Sequence, residues 1–467
     1  MAEQLPGGRL AQTEAQTTPH GPTSGLKRGF AALGVRNYRL YWSGQVVSLI
    51  GTWMQQVSLP WLVLALGGTP IQLGLVAVLQ FGPSLALAPF GGVLADRIDK
   101  RKALIATQIA ASGQALILFV LTATGVVQIP MVYAMAFVIG VINAVDMPVR
   151  QALSAELVPR HLLANAIALN SMAFNSARVV GPAVAGVIIA LGTALTGSDI
   201  AGVAMNLGIN TVTYAGVLTA LLRMNPREIR RPKQPDRHPP VLHSLAEGIG
   251  YSVRTPLVLW SLVLLGGIAA FGFNFQILLP LFSTEVLDLG ADGYGLLYAG
   301  MGVGALAGSL TLAFMRQRRA ITLMLGGGAV FALLLVGLGL SRDVWIAAPL
   351  VLLSGYFSML MINTINATVQ ANVTDALRGR VMSLYVTVFA GSAPLGGLFA
   401  GAVAEAWGSP AAFLVGAAIS MLVLAIVALG LRAAARRGPL GVTLLDTSSE
   451  RVPPVATAEP RAASAAR

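Results

Sequence analysis

Residues 146–186 read DMPVRQALSAELVPRHLLANAIALNSMAFNSARVVGPAVAG. Two apolar segments flank a polar break running from Pro148 to His161. Each segment carries an ionisable residue: Asp146 near the end of the first, Arg178 midway along the second. In lipid such side chains are costly and must face a cavity or a partner. Gly181-Pro182 then loosens the second segment, because proline removes a helical hydrogen bond. The meaning of the stretch depends on whether it lies in a bilayer or in a soluble core.

Composition decides between the two. Of 467 residues, 55% are hydrophobic and 11% charged, and mean hydropathy is +0.73. Soluble domains run about 25% charged, so this chain could not clothe a soluble surface. It reads as an all-α membrane protein whose first partner is the lipid bilayer. A crossing helix needs about 20 apolar residues. Twelve segments qualify: 38–66, 71–95, 103–124, 129–149, 162–191, 200–222, 257–284, 293–315, 321–340, 344–370, 380–407 and 411–432. None of these runs alternates as the strands of a membrane barrel would. The 52 glycines suit close helix approach in lipid.

Chemistry by cofactor or nucleophile is not expected. There is no cysteine, and His20, His161, His238 and His243 all fall outside the apolar segments without metal-ligand spacing. No G-x-x-x-x-G-K-[ST] loop is present to cradle ATP phosphates. Serine, histidine and aspartate lie on opposite faces or in the tails, so no triad is in view. The expectation is no enzyme, no metal and no cofactor.

Basic residues crowd alternate connections, among them Arg97, Lys100, Arg101 and Lys102, Arg150 and Arg160, and Arg223 through Arg237. The connections between hold Asp199, Glu285, Asp288, Asp292, Asp343 and Glu405. The positive-inside rule then puts both termini in the cytoplasm, which requires an even number of spans. The net charge of +12 is spread over short turns rather than gathered on one face, so nucleic acid is not a partner. The organisation expected is a tail (1–36), a six-helix bundle (37–223), a Pro-rich cytoplasmic linker (224–255), a second six-helix bundle (256–432) and a second tail (433–467), with both tails disordered. Within the linker, Val241 to Arg254 reads as a surface helix with Leu245, Ile249 and Val253 on one stripe.

The halves repeat. At an offset of 215, Val158 falls on Val373, Leu169 on Leu384, Phe174 on Phe389, Gly181 on Gly396 and Gly186 on Gly401. At 217, Gly91 falls on Gly308 and Arg101 on Arg318. Transporters built from repeats hold substrate near the midplane between them. The copy keeps the glycines but sets Met361 opposite Asp146 and Ala393 opposite Arg178.

Several polar residues stand where substrate or a coupling ion could meet them. Ser171, Asn175, Arg178 and Pro182 share one stripe of span five. Arg178 is about 15 residues from the span's cytoplasmic end, roughly 22 Å deep, beyond snorkelling. It needs a carboxylate, carbonyl oxygens or an anionic ligand. Asn143, Asp146 and Arg150 share a stripe of span four. Asp146 could carry a coupling proton, or pair with Arg150 or Arg178. Span one carries Gln45, Ser48, Thr52 and Gln55, with Trp53 and Trp61 near; span seven carries Asn274 and Gln276; span ten carries Asn363, Asn366 and Gln370. The alternative for these amides is interhelical glue.

The loop Gly92-Val93-Leu94-Ala95-Asp96-Arg97-Ile98-Asp99-Lys100-Arg101-Lys102 resembles the signature loop of the major facilitator superfamily, G-x-L-A-D-R-x-G-R-[KR]-[KR]. That resemblance implies two pseudo-symmetric six-helix bundles. It also implies a cytoplasmic gate in which Asp96 is the latch, Arg97 and Arg101 support it, and Gly92 permits close packing. Asp99 stands where glycine is usual. Gly181-Pro182-Ala183-Val184-Ala185-Gly186 resembles the G-P-x-x-G-G motif of exporters in that superfamily, with Ala185 in place of one glycine. Asn37 to Gln45, Leu59-Pro60-Trp61, Asp146 to Gln151 and Ala177 to Pro182 resemble the enterobactin-exporter-like branch, whose members export siderophores or drugs. The resemblance implies a monomeric secondary transporter that exchanges protons for an amphipathic small molecule. An importer on the same scaffold, or a membrane sensor that no longer transports, remains open.

Overall fold

The computed structural model of the chain describes residues 29–230, 241–315 and 320–437, leaving out the side chains of 88–97, 241–245, 313, 375 and 376. Most of both expected tails, part of the linker, the second basic turn and the side chains of Gly92, Asp96 and Arg97 therefore lie outside the described residues. Every regular element among the described residues is a helix. Spans one to six are Arg36–Ala65, Pro70–Arg97, Lys100–Ala123, Ile129–Glu156, Leu163–Thr196 and Asp199–Arg223. Span seven is broken into Pro256–Phe271 and Phe275–Glu285. Spans eight, nine and ten are Ala291–Phe314, Ala320–Leu340 and Val344–Ala371, and Asp375–Arg437 holds the last two.

Among the described residues, ten helices are long and apolar enough to cross a membrane. One of them contains two spans that meet at Gly408, whose φ of 82° lies outside the helical region. Span one is 30 residues long but is diluted by its polar stripe. The total is the twelve expected. The interruption in span seven departs from the unbroken segment expected over 257–284. Asn274 leaves the helix and turns its Nδ2 back onto the Ala270 carbonyl (2.8 Å), satisfying a backbone acceptor that the break exposes. Asp99 likewise explains why the loop after span two needs no glycine there. It is an N-cap at φ −66°, accepting from the Lys102 amide.

Packing follows the sequence repeat. Span two lies on span four as eight lies on ten, and span one lies on five as seven lies on eleven. Between the halves there are two main seams, five against eight and two against eleven. The repeated glycines fall on matching contacts. Gly181 faces Trp53 and Ile50 of span one, while Gly396 faces Ala270 of span seven. A methyl on Gly186 would lie 2.8 Å from the Ala291 carbonyl of span eight, and one on Gly401 2.6 Å from the Pro70 carbonyl of span two. Both seams lie near the membrane face opposite the one where span one begins and span twelve ends. The latter is called the terminal face below.

Inside the first half, buried amides link helices. Asn210 donates to Gln55 Oε1 (2.6 Å), Gln55 donates to Gln114 Oε1 (3.4 Å), and Asn206 bonds Ser58. The surface helix Val241–Arg254 docks on the second half: the Tyr251 hydroxyl donates to the Asn372 carbonyl (2.8 Å), and Glu247 pairs with Arg380. Ile249 and Val253 of its predicted apolar stripe point away from that contact and are exposed.

Gly401→Leu should push the seam between spans two and eleven apart, costing about 1–3 kcal/mol as overpacking does. Gly113, where an added methyl would meet nothing within 4 Å, should tolerate alanine with no loss. Unfolding midpoints in detergent for the two variants check the contrast.

Candidate substrate cavity and gates

One face of span five shows how the halves are disposed. Ile167, Ser171 and Phe174 are exposed, whereas Arg178, Pro182 and Gly186 are buried. The same stripe therefore leaves contact with the second half as it runs towards the terminal face. Near the opposite face the halves are locked together. Trp61 of span one stacks on Tyr294 of span eight (centroids 5.8 Å apart, 13° between planes). Gln276 of span seven bonds Gln56 of span one. Glu405, at the end of span eleven, accepts from the Thr69 hydroxyl (2.8 Å) and the Ile71 amide (2.9 Å) at the start of span two. Among the described residues the halves are in contact on that face, and the span-five stripe between them becomes exposed towards the terminal face.

Arg178 sits at the inner end of the opening. Its side chain reaches span ten, with Nη1 3.8 Å from the Met359 sulfur, and its guanidinium lies 5.7 Å from the Trp53 ring centroid. Trp53 in turn meets Phe174 edge-on at 5.5 Å. No ion pair joins Arg178 to a carboxylate among the described residues, and its Nε has no hydrogen-bond partner. Of the partners the sequence left open, a protein carboxylate is thus not the one found.

Asp146 belongs to a separate cluster. Arg150, one turn on, donates Nε and Nη2 to Asp146 Oδ2 (2.9 and 2.6 Å). Thr107 and Gln108 of span three donate to Oδ1 (2.6 and 2.7 Å). The carboxylate is buried and its acceptors are filled, and it does not meet Arg178. Asn143 is half-buried on the same stripe. Below it, Lys100 pairs with Glu156 at 2.8 Å.

The remaining candidates divide. Gln45 is buried with neither amide atom partnered, while Gln55 faces spans three and six rather than the opening. Asn175 donates to the Ser171 carbonyl of its own helix (2.8 Å). Asn363 donates to Ser309 of span eight (2.9 Å), and Asn366 accepts from Gln370 (2.6 Å). Arg101 caps the end of span six through the Leu221 and Leu222 carbonyls (2.8 and 3.1 Å). Met359 and Tyr294 gave no signal in the sequence; Phe174 entered only through the repeat, and Glu405 only as one of the acidic connections. Phe174 could have been found four residues before Arg178 on the same face.

A family model described as transmembrane secretion effector matches residues 27–438. The chain belongs to that family of major facilitator transporters. It is 25% identical over 372 residues to the staphyloferrin A transporter of Staphylococcus aureus, covering 79% of this chain and 90% of that protein. It is 28% identical over 423 residues to the enterobactin exporter EntS of Escherichia coli O1:K1, covering 88% and 96%. Among solved structures, a bacterial homolog of the human lysosomal transporter Spinster, inward-facing and occupied, superposes with a TM-score of 0.64 at 16% identity, over 89% of this chain and 99% of that one. The nucleoside transporter NupG gives 0.61 at 12% identity, over 85% and 99%. These likenesses establish the fold. As a member of the family the chain is a multi-pass membrane transporter and not an enzyme.

Within this transmembrane secretion effector, Asp146→Ala should strand Arg150, which is 22% exposed, and cost about 3 kcal/mol. The double variant Asp146→Ala, Arg150→Met should recover most of that loss. Detergent unfolding of the single and double variants measures the coupling.

Proposed function

We propose that the protein is a proton-coupled secondary exporter in the cell (inner) membrane, moving a siderophore, a drug or a similar amphipathic small molecule outwards. The observation that carries this reading is the central opening. It is sealed on one face by Trp61–Tyr294 and the Glu405 contacts, and it is lined at its blind end by Trp53, Arg178 and Met359 from both halves. The basic turns of the terminal face support placing that face, and both termini, in the cytoplasm, so the opening would accept substrate from inside. The names of the two relatives support a siderophore as the first substrate to test. Arg178 and Gln45 are the residues assigned to substrate or coupling, together with Asn143, Asn175, Asn363 and Asn366.

Alternating access on this reading is a rocking of residues 37–223 against 256–432 about the glycine seams, with the linker 224–255 joining them. Gly181, Pro182 and Gly186 act as the bend that lets span five move against span eight. Asp96, with Gly92, Arg97 and Arg101, serves as the latch that closes the terminal face in the other state. Asp146, held by Arg150, Thr107 and Gln108, is read as a pairing residue that ties spans three and four together.

Inside-out vesicles with an imposed pH gradient test the proposal. Siderophores and drugs are screened for gradient-driven accumulation, with release of protons on substrate addition. Arg178→Ala should reduce accumulation to background while folding and the Asp146 cluster stay intact. Absence of gradient-driven uptake for the whole panel sinks the exporter reading.

A further inference from the structure

We infer that Arg178 is the anion-binding element of the central cavity, taking the carboxylate of an aromatic acid whose ring packs against Trp53 and Phe174. The inference rests on the transport reading above and narrows its substrate class. Arg178 is 8% exposed, and a guanidinium cannot shed its charge by deprotonation. A buried charge of that kind is stable only when paired or hydrogen-bonded. The protein supplies no charge to match it: a thioether sulfur at 3.8 Å, which is a weak acceptor, a tryptophan face at 5.7 Å and the neutral phenol of Tyr298 nearby. Nε is left without a partner. The buried carboxylates of the first half do not serve it: Asp146 is filled by Arg150, Thr107 and Gln108, and Glu156 is paired with Lys100. A ligand carboxylate matches the guanidinium, with its unpartnered Nε, in charge and planarity.

The flank of the site is aromatic. Phe174 is 44% exposed and meets Trp53 edge-on, so a planar ring entering from the terminal face finds an apolar wall before its acid group reaches Arg178. The position is also placed to sense loading. The side chain touches span ten through Met359, and a methyl on Gly302 of span eight would lie 3.0 Å from the Arg178 carbonyl. The repeat puts Ala393 at the matching point of the second half, so one site is expected rather than two.

The test is titration calorimetry on the purified full-length chain with 2-naphthoate, its methyl ester and 2-naphthylmethylammonium. The acid should bind about tenfold or more tightly than the ester, as expected for a charge-assisted pair in a dry site, and the ammonium should bind least. Arg178→Gln should erase the preference for the acid while leaving the ester unchanged, and Arg178→Lys should keep part of it. Equal affinity of acid and ester for the wild type, preference for the cation, or an undiminished acid preference in Arg178→Gln overturns the inference. The comparison of acid with ester needs no variant and so survives a folding failure. Acid binding through Arg178 without gradient-driven flux refutes the exporter reading alone; flux without acid preference refutes this inference alone.

Discussion

Backbone-to-backbone contact at two glycine seams is the constraint on which the arrangement of the halves depends. At Gly186 and Gly401 the neighbouring span comes so close that no side chain fits. In lipid, where apolar side chains gain nothing by leaving the bilayer, such van der Waals contact is a main source of helix association. Because both seams lie near one face, they hold that face shut and let the halves diverge towards the other. The exposure of Ile167 and Phe174 on a stripe whose next turns are buried is the direct result.

The seams also account for what the sequence displays. Spans are legible because the bilayer sets a length and an apolarity that a sequence shows openly. The 215-residue repeat is legible because packing contacts need glycine at fixed places, and each repeated pair falls on equivalent helices: Gly181 and Gly396 on spans one and seven, Gly186 and Gly401 on spans eight and two. The break in span seven is hidden, since Asn274 looks like any polar residue in an apolar run until its side chain is seen to cap Ala270. The site is legible only in part. Arg178 stands out by its charge, and the pairing of Asp146 with Arg150 follows from helical spacing. Which way an amide points cannot be taken from spacing, and Gln55 turns into the first bundle although it shares a stripe with Gln45. Met359 carries no polarity to announce it; only the fold brings it beside Arg178.

The two charged clusters of the first half differ in a way that sets their roles apart. Asp146 and Arg150 are complementary and fully engaged, so the pair is electrically quiet as seen from the cavity. Arg178 has no such complement: it is a cation beside an aromatic face and a sulfur, on the boundary between the halves. The second half repeats the packing of this region without repeating either charge. A symmetric frame thus carries an asymmetric electrostatic centre.

Glu405 adds a last consequence. Its partners across the closed face are a hydroxyl and a backbone amide, not a cation. A closure made this way has no opposite charge for dissolved ions to screen. The strength of that closure is then set by hydrogen-bond geometry at the start of span two, and it should be indifferent to the ionic strength on that side of the membrane.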